Sequence, residues 1–245
     1  MATSGSAAKP YFFLSYVHDE GSDDASVRKF FGDLHHDVQL RSGFRRELVG
    51  FCDTTLRVGD RWSPALVEAL CTCTAFVPLC SPTYFRSSAC GKEWWIFRQR
   101  MAAVSSSRAA SPLVPLKWIV PFEMPEPVRD IQYLDGDFGD HYARLGLRDL
   151  IEIPEYQRGY RTLLNALALR ITELANTVTV PPYRSSAAFD DVEAAFPINA
   201  TLSVREEQTP VGDATRVHPR LTGRPHLNPY LRRPAPGQPP KDEWR

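Results

Sequence analysis

Between residues 10 and 178 the chain alternates short apolar runs with longer stretches in which apolar residues recur every three or four positions, and few folds accept that alternation. "YFFLSYV" (11–17) is an aromatic and apolar run of the kind that forms a buried strand. Val27, Phe30, Phe31, Leu34 and Val38 then recur at helical spacing behind "GSDDAS", which supplies N-cap candidates. "ELVGFCD" (47–53) reads as a second strand. "SPALVEALCTC" (63–73) reads as a helix with Ser63 as N-cap and Pro64 in the first turn. "TAFVPLCS" (74–81) is a third strand, and Pro82 opens a helix expected to run to about Val104. "SPLVPLKWIV" (111–120) is a fourth strand whose prolines move it toward an edge. "LIEIP" (150–154) is expected to be a brief fifth, and Tyr160, Leu163, Leu164, Leu167, Ile171 and Leu174 form the apolar stripe of a last helix. Strands alternating with helices imply a parallel sheet covered on both faces. Five strands suit the doubly wound order 2-1-3-4-5. Ligands then bind outside the carboxyl ends of strands 1 and 3, here near Ser15-Tyr16 and Cys80-Ser81.

Charge and cysteine content narrow the function classes. Lys+Arg and Asp+Glu each number 29, so the net charge is zero. Nothing in that balance points to nucleic acid or to a polybasic membrane contact. No apolar run reaches the roughly 18 residues of a membrane span, and "MATSGSAAKP" lacks the apolar segment of a secretory signal. The five cysteines, Cys52, Cys71, Cys73, Cys80 and Cys90, are odd in number and include no C-x-x-C pair. Reduced thiols in a cytoplasmic protein fit that pattern, and no metal site is expected.

Residues 1–9 read as a flexible N-terminus, 10–178 as the folded domain and 179–245 as a proline-rich tail. Of the 21 prolines, 11 fall after position 180. Such a segment is expected to be mostly disordered and dispensable for folding. "DDVEAAF" (190–196) is its one candidate for a short docking element.

One carboxylate stands out. In "SSACGKEWWIF" (87–97) Glu93 directly precedes Trp94 and Trp95, on the helix that follows strand 3 and so near the expected cleft. The plain reading is a solvated glutamate in the first helical turn, favoured by the helix dipole. The two tryptophans point about 100° apart around a helix, so at least one is expected in the core. His35-His36, in the first helix, read as surface residues.

Three segments together resemble a TIR domain in order and spacing: "YFFLSYVHDE", "FCDTTLRVGDRWSPALVEAL" and "TAFVPLCSPTYFRSSACGKEW". Ser15-Tyr16 match the family's first motif; Asp53, Gly59 and Ser63 to Leu70 match the second; Ser81, Tyr84, Ser87, Cys90 and Glu93 match the third. Ala89 stands where the family often carries Trp. The resemblance implies a flavodoxin-like fold over about two thirds of the chain. "PYFFLSY", "CGKEWW" and "DFGDHYARLGL" look most like the actinobacterial TIR-like proteins associated with FxSxx-COOH peptide clusters.

In catalytic TIR domains the glutamate at this position drives NAD cleavage, so the resemblance implies Glu93 as the candidate catalytic residue of an NADase in bacterial signalling or defence. NAD is then the substrate, and no cofactor is implied. The chemistry is coherent, because breaking the nicotinamide–ribose bond builds an oxocarbenium-like charge that a carboxylate stabilises. Hydrolysis gives ADP-ribose and attack by an adenine nitrogen gives a cyclic product. Phe13, Ser15 and Tyr16 could line the nicotinamide-ribose end, with Cys80, Ser81 and Tyr84 beside them. In the loop "DTTLRVGDRWS", Arg57, Asp60 and Arg61 could meet the pyrophosphate and Trp62 could stack on a base. The equal alternative is an exposed charged loop with one aromatic tucked into the surface. The resemblance also implies self-association or pairing with another TIR-containing protein. The loop 53–63 lies beside the cleft rather than over it, so a single copy is expected to leave Glu93 in an open groove that a second subunit closes, with Arg61 and Trp62 at the contact. Two rivals remain at this level: an adaptor acting only through TIR–TIR contacts, and a nucleoside deoxyribosyltransferase-like enzyme.

Overall fold

Strand side chains alternate faces, and that alternation sorts the core of this protein into two apolar layers. The computed structural model describes residues 9–18, 23–43, 49–52, 62–102, 111–120, 125, 138–184 and 191–196. In chain order the main elements are β1 (Phe12–Ser15), α1 (Asp23–Ser42), β2 (Gly50–Cys52), α2 (Pro64–Thr72), β3 (Ala75–Cys80), α3 (Ser88–Ala102), β4 (Leu116–Lys117), α4 (Asp140–Glu152) and α5 (Gln157–Thr177). The four described strands form one parallel sheet in the order β2-β1-β3-β4. The described residues all belong to one compact unit.

Phe12 and Leu14 of β1, with Ala75, Val77 and Leu79 of β3, face a cluster built from α1, α4 and α5. Phe13, Phe76 and Cys80 face the opposite cluster, built from α2 and α3. The stripe expected on α1 contributes Val27, Phe30, Leu34 and Val38 to the first cluster. All six apolar residues expected on α5 are buried there. Ser63 caps α2 by accepting from the Leu66 N–H, with Pro64 at the first helical position.

Three expectations change. "LIEIP" is not a strand: Leu150 to Glu152 end α4, and Pro154–Tyr156 form a 3-10 turn. Leu147, Leu150 and Ile151 bury one helical stripe, a pattern that a five-residue apolar run does not reveal by itself. The Trp118 N–H bonds β3, so the Lys117 N–H points to the open edge, where the Tyr142 hydroxyl accepts it at 2.7 Å. α4 is kinked at Gly146 (φ 78°), where a Cβ would lie 2.9 Å from the Trp118 carbonyl oxygen. Glycine supplies both the left-handed φ and the room.

The helix after β3 starts later than Pro82. Ser81 accepts from the Tyr84 N–H, Tyr84–Arg86 form a 3-10 turn, and the extended Ser87 caps α3 by accepting from the Cys90 N–H at 3.3 Å. Glu93 is therefore the sixth residue of α3, in its second turn, beyond the reach of a strong terminal dipole.

The folded part also extends past 178. Val178, Val180, Val192 and Phe196 are buried, and Phe196 joins the α2/α3 cluster. Buried Arg100 donates to the carbonyls of Leu70 (2.7 Å), Cys73 (2.6 Å) and Pro181 (2.9 Å). It thereby neutralises the C-terminal carbonyls of α2 and pins the segment that leaves α5. Residues 191–196 do dock, so the stretch past 180 is expected to contribute to stability. A chain ending at 180 loses the burial of Val192 and Phe196, on the order of 3–5 kcal/mol, and should melt on the order of 10 °C below the full chain. Calorimetry of the two checks this; identical melting temperatures would show that 181–196 contributes nothing.

Candidate functional site

Ser15 is the last residue of β1 and the one polar residue on it, and period-two alternation points it to the same face as Phe13, toward α3. Its Oγ donates to Glu93 Oε2 at 2.5 Å and lies 2.9 Å from the Tyr84 hydroxyl. A hydroxyl has one proton, so with Ser15 donating to the carboxylate, Tyr84 donates to Ser15. Burial raises the Tyr84 phenol well above its usual value, and the neighbouring Glu93 carboxylate pushes the same way. At neutral pH Tyr84 is thus a fixed donor, and a directed relay runs Tyr84 to Ser15 to Glu93.

Glu93 is 9% exposed, so it is not the carboxylate of an open groove, as the sequence suggested, but a largely buried group at the carboxyl end of the two central strands. Burial, followed by the Glu93 charge, also raises the Cys90 thiol. Its Sγ–H donates to the Tyr16 carbonyl at 3.5 Å, tying α3 to the chain just beyond β1. Trp94 is in the core, stacked edge-on against Phe76, while half-buried Trp95 lies edge-on to Tyr183. His36 is exposed and His35 is half-buried against Phe31.

The other residues expected at the site divide into three groups. Tyr16 and Ser81, with Thr83, Val27 and Trp118, line a cavity of about 40 Å³ at the carboxyl ends of β1 and β3. That volume holds a few waters and no dinucleotide. Phe13 and Cys80 are buried in the sheet's α2/α3 layer and not at the cavity. Phe13 is sandwiched between Phe51 (5.6 Å) and Phe76 (5.9 Å), and Cys80 is wholly buried. Both lie on the right strands, but their side chains face the layer under α2 and α3, where they support the sheet. Trp62 is half-buried against that layer, the tucked aromatic of the two readings. Arg57, Asp60 and Arg61 lie outside the described residues, as do Asp53 and Gly59 of the second motif.

The model of the TIR domain matches residues 12–151, more than half of the chain. The chain belongs to the TIR-domain family. The matched span of this TIR domain contains all four described strands and both members of the Ser15–Glu93 pair. No curated protein matches the chain. Among the described residues no helix is long and apolar enough to cross a membrane, and no three His, Cys, Asp or Glu side chains group to hold a metal ion.

The sequence marks "DDVEAAF" as a candidate docking element without placing Phe196 at the site. Phe196 packs against Tyr84, Phe85 and Trp94 from far along the chain. The only signal was the apolar end of "DDVEAAF" in a polar, proline-rich surrounding.

Removing the relay should be felt in stability before any chemistry is assayed. Ser15→Ala leaves the Tyr84 hydroxyl and the Glu93 carboxylate each short of a buried partner and should lower stability by about 1–3 kcal/mol. Tyr84→Phe, which leaves the Ser15–Glu93 bond in place, should cost less. Urea unfolding at neutral pH measures both. A Ser15→Ala protein as stable as the parent would count against the relay.

Proposed function

We propose that this TIR domain cleaves the nicotinamide–ribose bond of NAD, with Glu93 as the catalytic carboxylate. The observation that supports this reading is the Glu93 carboxylate itself, held by Ser15 and backed by Tyr84 at the carboxyl end of the central strands. Desolvating a carboxylate costs several kcal/mol, and an apolar residue of similar volume would pack α3 without that cost. A retained buried carboxylate at a topological switch point suits a group whose charge is needed.

The chemistry asks little more of the protein. Nicotinamide is a good leaving group because its ring nitrogen is already cationic, so no strong acid is required. As the bond breaks, positive charge builds on the ribose, and a carboxylate fixed in a water-poor setting stabilises it. Ser15 orients the carboxylate, and Tyr84 orients Ser15. Water then captures the ribose to give ADP-ribose, or an adenine nitrogen captures it to give a cyclic product. Tyr16 and Ser81 are the candidates for contact with the substrate. The 40 Å³ cavity cannot hold it, so its walls must move or NAD must bind across the surface outside them.

An adaptor acting through TIR–TIR contacts is the second reading. What favours it is that the fold already satisfies the Glu93 carboxylate through Ser15, as it would for a purely structural residue. Either role suits a cytoplasmic protein of bacterial signalling or defence. The segments "PYFFLSY", "CGKEWW" and "DFGDHYARLGL" favour the setting of the FxSxx-COOH peptide clusters.

Nicotinamide release separates the two. Glu93→Gln keeps the size of the side chain and removes its charge, and should lower the rate by about 100-fold or more, equivalent to about 3–4 kcal/mol. A folded Glu93→Gln protein that retains most of the parent rate, or a parent that never releases nicotinamide, rejects the glycosidase reading.

Self-association follows from the same reading. A second subunit covering the carboxyl end of the sheet would shield NAD bound there, and the charge developing on its ribose, from water. Arg61 and Trp62 are the proposed contacts, since Arg and Trp are frequent interface anchors. Specific activity should rise with protein concentration, and Arg61→Glu or Trp62→Ala should lower it. Constant specific activity from nanomolar to tens of micromolar protein, with monomeric sedimentation throughout, would rule assembly out.

A further inference from the structure

The family match ends at residue 151, yet residues 191–196 lie against the helix that carries Glu93. Phe196 is 3% exposed, with its ring 4.9 Å from Phe85, 5.4 Å from Trp94 and 6.2 Å from Tyr84, centroid to centroid. Tyr84 is the donor at the head of the relay, and Trp94 adjoins Glu93 in the chain. The Ala195 N–H donates to the Gly91 carbonyl at 3.0 Å, two residues before Glu93.

Gly91 carries a second, independent mark of the same contact. A Cβ at that position would stand 3.0 Å from the Ala194 Cβ and 3.3 Å from the Ala195 nitrogen. Glycine weakens a helix interior, and here its missing side chain is what lets the segment cross α3 at this distance. The sequence of α3 is thus fitted to the segment that lies on it.

We propose that residues 191–196 form a strap that sets the position of the first two turns of α3, and that Phe196 is a positioning residue for the Tyr84–Ser15–Glu93 relay. Phe196 fills the space between the 3-10 turn that carries Tyr84 and the helix that carries Glu93. Both ends of the relay are thereby referred to one aromatic ring. Without that ring, Tyr84 and the α3 turn can shift relative to Ser15, which stays fixed in the sheet. Small displacements of a catalytic group lower the rate of the chemical step far more than they alter binding. The effect on catalysis rests on the glycosidase reading; the mechanical role of the strap does not.

The test uses the full-length chain with Phe196→Ala, Phe196→Leu and Gly91→Ala. The first readout is amide hydrogen exchange. The strap predicts exchange at least about ten-fold faster over residues 88–95 in Phe196→Ala, with α5 unchanged. Unchanged exchange over 88–95 overturns the proposal, whether or not the protein cleaves NAD. The second readout is nicotinamide release at a temperature where each variant is folded. Phe196→Ala should lower kcat by about 10- to 100-fold with KM within about two-fold, and Phe196→Leu should recover most of the rate. Gly91→Ala should also lower kcat, although alanine is the better helix former. Should Phe196→Ala fail to fold, Phe196→Leu and Gly91→Ala carry both measurements. A cleaving parent whose kcat survives Phe196→Ala overturns the positioning role. A parent that releases no nicotinamide rejects the glycosidase reading instead, and the exchange comparison then decides the strap by itself.

Discussion

The hydroxyl of Ser15 joins the sheet to the helix that carries Glu93, the one buried carboxylate among the described residues. β1 is buried along its length, so every other side chain on it is apolar. A polar residue in that position must find partners inside the protein. It finds Glu93 on α3 and Tyr84 on the turn after β3, and so fixes three chain segments relative to one another. Loss of the Ser15 hydroxyl would leave both partners short of a buried hydrogen bond, which is why the arrangement behaves as a unit.

Around that point the protein separates support from chemistry. Phe13 and Cys80 sit at the same strand ends as Ser15 and Ser81, but within the layer beneath α2 and α3. Arg100 secures that layer from the far side by binding the carbonyls at the end of α2 and at Pro181. The strap at 191–196 completes it over Tyr84 and Trp94. The small cavity lined by Tyr16, Ser81 and Trp118 opens from the carboxyl end of the sheet. That cavity lies toward α1, with Val27, Leu79 and Trp118 in its wall, whereas Glu93 is carried by α3 over the other face of the sheet.

The elements with strong periodicity were readable in advance. α1 and α5 present apolar stripes long enough for the 3.6-residue repeat to be unambiguous, and β1 and β3 are short apolar runs bounded by turn residues. "LIEIP" was misread because five apolar-rich residues carry no period, and the buried stripe that makes it helical begins at Tyr142. Phe13 was placed at the site because it lies near the end of β1. Distance along a strand does not say which face a side chain takes; that depends on where the helices pack. Phe196 lay in a proline-rich region where composition argues against order, and composition has no way to register a single aromatic ring finding a slot.

The residues alone determined the layering of the domain, because amphipathic periods decide which segments are strands and which are helices. They also determined the order of motifs that brings Ser15, Tyr84 and Glu93 to one end of the sheet. Only the tertiary structure decided that Glu93 is a buried, hydrogen-bonded group rather than a solvated one, and that the chain past residue 178 belongs to the fold. Both outcomes rest on contacts between residues far apart in sequence: 78 positions separate Ser15 from Glu93, and the Phe196 ring meets Tyr84 and Trp94 from beyond the matched domain. Such contacts exist only once α3 has docked on the sheet, and local sequence carries no term for them.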